Sequence, residues 1–185
     1  MTRIIAGIAG SLSIAVPPKG TRPTSDRVRE AIFSALEARD AIRGATVFDL
    51  YAGSGALGLE AASRGAVSVT LVERNPPAAA VCRRNAALVQ SKLPKGARIT
   101  VAPVSVRSFL AGAVGTVDLV FIDPPYELGD DELAADLAAL HLAPNAVVLV
   151  ERSSRSPEPT WPAGLTLDRS KVYGDTTLWW ASALQ

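Results

Sequence analysis

Apolar residues along the chain follow two patterns that alternate between residue 45 and residue 151. Five short apolar runs have the length of buried strands, and they cover residues 46–51, 68–73, 97–102, 117–123 and 146–151. The stretches between them are predicted to be helical, and they cover residues 56–65, 76–90, 105–111 and 130–141. Strands that alternate with helices predict a parallel, doubly wound α/β sheet.

The N-terminal part of the chain follows a different pattern. Residues 3–16 alternate loosely around turn residues near Gly10, which predicts a small β-hairpin. A stretch rich in proline and glycine follows, and Thr24 or Ser25 can then cap a helix over residues 26–39. We therefore expect a short hairpin and one further helix before the alternating strands and helices begin.

The C-terminal part also departs from the alternation of strands and helices. Residues 165–183 alternate between apolar and polar side chains and turn at Gly174 and Asp175, which predicts an antiparallel hairpin. Together these patterns divide the chain into an N-terminal hairpin extension over residues 1–20 and a single domain over residues 21–185.

Composition removes several classes of protein from consideration. The chain has 185 residues, of which 48% are hydrophobic, and it contains no run of about 18 apolar residues, so we expect no membrane span. Glycines and serines interrupt the apolar N-terminus, so we expect no signal peptide and a cytoplasmic protein. Cys82 and His141 are the only cysteine and histidine, which excludes an internal disulfide, a zinc site and a Ser-His-Asp triad.

Charge is unevenly spread along the chain. The net charge is +1, yet residues 1–29 hold five basic residues against the single acid Asp26, which leaves −3 for the rest. A basic segment on a nearly neutral body can contact nucleic-acid phosphates, and the alternative is a solvated terminus. The candidates for such contacts are Arg3, Lys19, Arg22, Arg27 and Arg29.

A glycine-rich turn follows the first strand of the alternating region. Gly53, Gly55 and Gly58 match the dinucleotide-binding pattern and lie between a predicted strand and a predicted helix. Glu73 ends the next strand, twenty positions after Gly53, where an acid accepts hydrogen bonds from ribose hydroxyls. Taken alone, this pattern also suits a nicotinamide-binding reductase.

Asp49, just before the glycine turn, favours a different ligand. An unpaired carboxylate at this place repels a pyrophosphate and attracts a cationic group. S-adenosylmethionine (SAM) has an ammonium, a sulfonium and a ribose but no phosphate, so it fits both Asp49 and Glu73. We expect Gly58 to serve helix–strand contact rather than the ligand.

The sequence Asp123-Pro124-Pro125-Tyr126 ends the fourth strand of this region. Asp123 and the carbonyl of Pro124 can hold the two hydrogens of an exocyclic amine, and the prolines stiffen the turn in that geometry. Tyr126 can stack on a base taken out of its helix. The alternatives are that the prolines only terminate a strand and that Tyr126 only packs against the protein.

The chain resembles the RsmD family in four stretches, which read "VFDLYAGSGALGLEA", "LVERN", "DLVFIDPPY" and "RPTSDRVREAIFSAL". The similarity continues to "VYGDTTLWW" near the C-terminus and covers nearly the whole chain. Members of this family are SAM-dependent guanine-N2 methyltransferases of small-subunit (16S) ribosomal RNA. The resemblance implies a Rossmann-like class I methyltransferase with a seven-stranded, mostly parallel sheet, a reversed last strand and a small N-terminal β-hairpin that helps to hold RNA.

The sequence departs from the family pattern in two places. The hairpin turn reads "AGSLS" and lacks the basic residues usual in the family. Ser105 stands where the family usually offers an acid to the adenine amine of the cofactor. The residues expected to contact SAM are Asp49, Tyr51, Ala52, Gly53, Ser54, Gly55, Glu73, Arg74, Ser105 and Asp123, and those expected at the reacting amine are Asp123, Pro124, Pro125 and Tyr126.

We therefore predict a monomeric guanine-N2 methyltransferase that acts on 16S rRNA in the small subunit or its assembly intermediate, with SAM as cofactor and no metal. One alternative is an adenine-N6 nucleic-acid methyltransferase, because guanine and adenine both carry aromatic amines. A second is a nicotinamide-binding reductase. A third is a non-catalytic RNA-binding assembly factor that keeps the fold.

Overall fold

The computed structural model describes residues 1–18, 24–112 and 115–185. The described strands are β1 (Thr2–Arg3), β2 (Ser13–Ile14), β3 (Thr46–Leu50), β4 (Ser68–Val72), β5 (Arg98–Ala102), β6 (Val117–Ile122), β7 (Leu142–Ser153), β8 (Leu165–Tyr173) and β9 (Thr176–Ala183). The described helices are α1 (Asp26–Ala38), α2 (Ala56–Ser63), α3 (Pro76–Gln90), α4 (Val106–Gly112) and α5 (Asp130–Ala138).

Seven strands form one sheet in the order β5-β4-β3-β6-β7-β9-β8. The first five strands of this order are parallel, and β9 runs antiparallel to both β7 and β8. The predicted class I methyltransferase sheet with a reversed last strand is therefore confirmed. The strand order changes direction between β3 and β6, and in such sheets a ligand site lies at the carboxyl ends of the strands around that point.

The centre of the sheet is buried on both faces, as a doubly wound fold requires, whereas the edge strand β8 is largely exposed. Neighbouring residues of β6 point to opposite sides: Leu119 and Phe121 contact the core beneath α1, α2 and α3, whereas Val120 and Ile122 contact the core beneath α4 and α5. Cys82 lies fully buried in the first of these cores, where it acts as a small apolar residue. Within the described residues, no helix is long and apolar enough to cross a bilayer.

Two boundaries differ from the expected ones around the fifth helix. The helix expected to reach residue 141 ends at Ala138, and the strand expected from residue 146 begins at Leu142. The carbonyl of His141 accepts a hydrogen bond from the amide of Val117 at 3.0 Å, and Val117 also pairs with Leu142. Through these bonds the chain joins the sheet at Leu142. The apolar run begins later, at residue 146, because Pro144 and Asn145 are exposed within the strand.

The N-terminal hairpin is confirmed, although its paired strands are only two residues each. Ile4 is fully buried, and the amides of Ile5 and Ala6 donate to the Glu60 carboxylate on α2 at 2.8 and 3.0 Å. A Cβ atom at Gly7 would lie 2.0 Å from the backbone of α2, so only glycine permits this approach. The hairpin thus docks on the domain, and the boundary expected after residue 20 lies outside the described residues.

Candidate active site

A cleft with a volume of about 480 Å³ opens at the carboxyl ends of β3, β4, β6 and β7. It lies at the point where the strand order changes direction, as expected for this fold. The cleft is lined by the following residues of the predicted site: Tyr51, Gly53, Glu73, Arg74, Asp123, Pro124, Pro125 and Tyr126. The structure therefore brings the glycine turn, the acid after β4 and the Asp-Pro-Pro-Tyr sequence to one place.

Glu73 is tied to the glycine turn by hydrogen bonds. One carboxylate oxygen accepts from the amide of Gly53 at 2.9 Å, and the other accepts from the amide of Asn75 at 2.8 Å. Each carboxylate oxygen can accept a second hydrogen bond, and Glu73 is only partly buried in the wall of the cleft. The arrangement leaves Glu73 able to accept from the hydroxyls of a ribose.

Asp49 lies beneath the glycine turn and is only 2% exposed. Its carboxylate accepts a hydrogen bond from the amide of Gly58 at 2.8 Å. Burial raises the pKa of Asp49 to about 7, while the bond from Gly58 opposes this rise and the Glu73 charge adds to it. A Cβ atom at Gly58 would lie 2.3 Å from the Leu71 side chain, which confirms that this glycine serves helix–strand contact.

The residues after β6 line the cleft. Asp123 is partly buried there, and burial, followed by the nearby charges of Glu151 and Asp49, holds its pKa well above the usual range. Tyr126 is 70% exposed, so the interpretation of its ring as a packing residue is wrong. An exposed ring beside Asp123 is placed to contact a flat partner such as a base.

Glu151 is a cleft residue that the sequence analysis missed. It ends the apolar part of β7, whose Val150 pairs with Ile122, so Glu151 lies beside Asp123 in the sheet. The hydroxyl of Thr24 donates to its carboxylate at 3.0 Å, and burial raises its pKa. The available signal was an acid at the end of an apolar strand, which is the same signal that identified Glu73.

Two expected cofactor residues have other partners in the structure. The Ser105 hydroxyl accepts from the amide of Ser108 at 3.1 Å and so caps α4, while the cleft beside it is lined by Val104 and Val106. The Tyr51 hydroxyl donates to a carboxylate of α5 at 2.5 Å, and burial raises its pKa. For Tyr51 this leaves the ring, rather than the hydroxyl, in the wall of the cleft.

The expected RNA-binding residues fall into three groups. Arg3 and Arg27 are exposed, although Arg3 lies 3.6 Å from Asp26. Lys19 and Arg22 lie outside the described residues. The prediction for Arg29 is wrong, because its side chain is fully buried: α1 places it on the same face as its apolar residues, and its Nη2 donates to Thr2, to the carbonyl of Arg3 and to Asp26.

Similarity to known proteins agrees with this geometry. Residues 2–182 match the sequence profile of a family described as Conserved hypothetical protein 95. The chain belongs to the RsmD family. Ribosomal RNA small subunit methyltransferase D of Escherichia coli K12 is 38% identical over 175 residues, which cover 93% of this chain and 85% of that protein. The protein of the same name from Haemophilus influenzae is 34% identical over 177 residues, with coverages of 93% and 89%.

Solved structures extend the similarity from sequence to fold. The RsmD-family chain superposes on the Escherichia coli protein yhhF with a TM-score of 0.83 at 33% identity, covering 98% of this chain and 97% of that one. A hypothetical protein from Thermus thermophilus gives a TM-score of 0.83 at 29% identity, with coverages of 97% and 98%. Magnesium protoporphyrin IX methyltransferase from Synechocystis, solved with bound SAM, shares the fold at 16% identity and a TM-score of 0.64, covering 88% and 86%.

Proposed function

We propose that this protein transfers the methyl group of SAM to the exocyclic N2 amine of a guanine in 16S rRNA, within the small ribosomal subunit or its assembly intermediate. The observation that carries the proposal is the meeting of Asp123, Pro124 and Tyr126 with Glu73 and the glycine turn in one cleft. Relatives named ribosomal RNA small subunit methyltransferase D, which match nearly the whole chain, support the choice of substrate.

The charges around the cleft fit SAM better than a dinucleotide. Four carboxylates lie at the carboxyl ends of four neighbouring strands, and they belong to Asp49, Glu73, Asp123 and Glu151. A pyrophosphate would be repelled here, whereas a sulfonium and an ammonium are attracted. Glu73 would hold the ribose, and Asp49 would lie near the ammonium. When bound, SAM supplies an electrophilic methyl group.

The amine of a base is a poor nucleophile because its lone pair is delocalised into the ring. Asp123 and the Pro124 carbonyl would hold its two hydrogens, so that the nitrogen becomes pyramidal and its lone pair points at the methyl group. The amine loses one proton on methylation, and the ionised carboxylate of Asp123 would accept it; the cation of bound SAM opposes the rise in the Asp123 pKa and so favours that ionised form. The exposed ring of Tyr126 would stack on the base.

The choice of guanine over adenine needs an acceptor close to the amine clamp. Guanine presents an N1–H donor beside its amine, whereas adenine presents a bare N1 acceptor. Asp123 and Glu151 are neighbours in the cleft, and their carboxylates offer more acceptor sites than one amine requires. With both carboxyl groups ionised, an adenine would leave an acceptor unpaired, at a cost of about 1–3 kcal/mol.

The test is nucleoside mass spectrometry of small-subunit particles that lack the modification, after incubation with enzyme and SAM. We expect N2-methylguanosine in 16S rRNA and no methylated adenosine. N6-methyladenosine without N2-methylguanosine would replace the proposal by the adenine-N6 alternative. A complete absence of methyl transfer from labelled SAM would favour the non-catalytic assembly factor.

Asp123→Ala separates catalysis from cofactor binding in the same assay. We expect its turnover to fall by roughly 100-fold or more, since a positioned catalytic group is lost, while SAM affinity measured by calorimetry stays nearly intact. Single-turnover methylation close to the wild-type rate would mean that Asp123 only terminates β6.

A further inference from the structure

Charge is divided between the two ends of the sheet. Residues 74–117, which form α3, β5 and α4 at one end, contain seven basic residues and no acid. Residues 118–185, which form the strands β6 to β9 and α5, contain eleven acids against four basic residues, a net charge of −7. Such a separation orients an approaching polyanion toward the β5 end of the protein.

Five of these basic residues lie on α3 or on the segments that flank it. Arg83 and Arg84 are exposed on the helix itself. Arg74 precedes the helix and lines the cleft, and Lys92 and Lys95 are exposed in the loop that follows it. We call these five residues the α3 basic surface. Because α3 has 15 residues, the surface extends about 22 Å from the cleft along the side of the molecule.

Ion pairing distinguishes the α3 basic surface from other basic parts of the protein. Within the part of the chain that the structure describes, no salt bridge joins any of its five side chains to a carboxylate. Elsewhere, Arg39, Arg64 and Arg152 contact acids at 2.9, 2.8 and 3.2 Å. Ordinary solvated surfaces intersperse both signs of charge, and like charges alone repel one another, so this surface favours a partner that brings the negative charge.

The protein holds the loop after α3 in place without using its charges. Gln90, the last residue of α3, donates from its side-chain amide to the carbonyl of Ala97 at 2.9 Å and accepts from the amide of Ile99 at 2.7 Å. These two bonds fix the loop that carries Lys92 and Lys95 against the start of β5. The backbone of the loop therefore needs little ordering when a partner binds.

The N-terminal hairpin leaves the domain beside α3. Asn85 of α3 is 1% exposed and exchanges two hydrogen bonds with the backbone of Ala15, at 2.9 and 2.8 Å. Residues 5–12, which form the turn of the hairpin, include no basic residue. The helix α3 therefore supplies positive charge next to a hairpin turn that lacks it.

We propose that the α3 basic surface binds phosphates of the RNA strand whose base enters the cleft. Arg74 contacts the backbone at the opening of the cleft, and the other four residues contact it further along the helix. Phosphate contacts position a nucleic acid without reading its sequence, so the surface sets where the strand lies while the cleft selects the base. This inference rests on the proposed function and adds a surface for the RNA that Arg3 and Arg27 alone do not provide.

The test removes two charges from the surface and, as a matched control, two from the opposite face of the sheet. The test variant carries Arg83→Gln and Arg84→Gln, and the control carries Arg98→Gln and Arg107→Gln at exposed positions. Arg98 precedes Ile99, which packs on the α3 side, so Arg98 points to the other face, which is the face that α4 with Arg107 covers. Both variants lose the same net charge, and none of the four residues lines the cleft.

Binding to small-subunit particles that lack the modification is measured over a series of salt concentrations, with the protein-free 16S rRNA of the same particles in parallel. Each phosphate contact contributes about 0.7 to 0.9 to the slope of log K against log salt, so the test variant should lose about 1.5 from the slope. Its affinity at low salt should fall by about 5- to 30-fold for particles and rRNA alike. The control should keep the wild-type slope, and urea unfolding of both variants should match the wild type because the changed side chains are exposed.

Two results overturn the inference alone. One is a slope that stays unchanged in the test variant or falls equally in the control, since the effect then comes from net charge or is absent. The other is a loss of affinity for particles without any loss for protein-free rRNA, which assigns the surface to an acidic protein. Methyl transfer from labelled SAM to the particle by the wild type shows that the proposed function stands in either case. A wild type that transfers no methyl group overturns the proposed function, and this inference with it.

Discussion

Asp49→Asn should make the protein more stable and its cofactor site weaker. The substitution keeps the shape of the side chain and an oxygen that can accept from Gly58, but it removes a carboxylate that is 2% exposed. Burial raises the pKa of this carboxyl from 3.8 to about 7, which means that the fold opposes its ionisation. A carboxyl that binds its proton more tightly in the folded state than in the unfolded state makes stability fall as the pH rises.

The size of the effect follows from the shift in the Asp49 pKa. Between 3.8 and about 7 the shift is about three units, each worth about 1.4 kcal/mol, so the full cost of about 4 kcal/mol is present above pH 7. About two of these three pH units fall between pH 5 and pH 7, and over this range the stability of the wild type should fall. The stability of Asp49→Asn relative to the wild type should therefore increase by about 3 kcal/mol from pH 5 to pH 8.

Urea unfolding of both proteins at pH 5, 6, 7 and 8, without ligand, measures this difference. Asp123 and Glu151 titrate in both proteins, so their contribution cancels in the comparison apart from the part of the Asp123 shift that the Asp49 charge causes. Calorimetry at pH 7.5 should show weaker SAM binding by Asp49→Asn, because the ammonium loses its charge partner. A stability difference that stays constant from pH 5 to pH 8 would refute the argument from burial.

Three further predictions concern the packing of the glycine turn, the ribose and the RNA. Gly58→Ala should destabilise the fold by about 1–3 kcal/mol in urea, because its Cβ would overlap a leucine of β4, whereas Gly112→Ala, with open space around it, should not. Glu73→Ala should weaken SAM binding by about 1.5–3 kcal/mol, and unchanged affinity in calorimetry would contradict its ribose role. Changing Arg3 and Arg27 to Glu should weaken binding to the small-subunit particle and make that binding less dependent on salt concentration. An unchanged salt dependence would mean that the N-terminal segment is only solvated.

The sheet could be predicted from the sequence because its signals are local. Apolar runs of five or six residues, each followed within two residues by a glycine, a proline or an acid, predicted the strands and their carboxyl ends. The acids Glu73 and Asp123 could be placed in one site because carboxyl ends of parallel strands share an edge. Glu151 carries the same signal, but its position beside Asp123 depends on the register of β6 and β7, which no local pattern contains.

The burial of Arg29 could not be predicted, because all of its partners except Asp26 are distant along the chain. Arginine is among the residues least often fully buried, and its place on the apolar face of α1 was a weak signal against that tendency. The groups that permit its burial come from the hairpin and from α2, and they include Thr2, the carbonyl of Arg3 and Glu60. Ser105 differs from Arg29 because its partner is close along the chain. The bond from the Ser108 amide to the Ser105 hydroxyl could have been expected from the sequence, but the cofactor role of Ser105 was inferred from its position in the family pattern alone.

The distribution of charge bears on how such a cleft can admit RNA. Of the four acids at the ends of four neighbouring strands, those that are ionised repel a phosphate backbone from the interior of the cleft. A base is uncharged and can enter alone, while exposed basic residues such as Arg3 and Arg27 lie outside the cleft and can contact phosphates there. The same ionised acids would attract a cationic cofactor such as the proposed SAM. On the proposed function, one arrangement of acids would therefore serve both to hold SAM and to restrict the site to a nucleotide turned out of its strand.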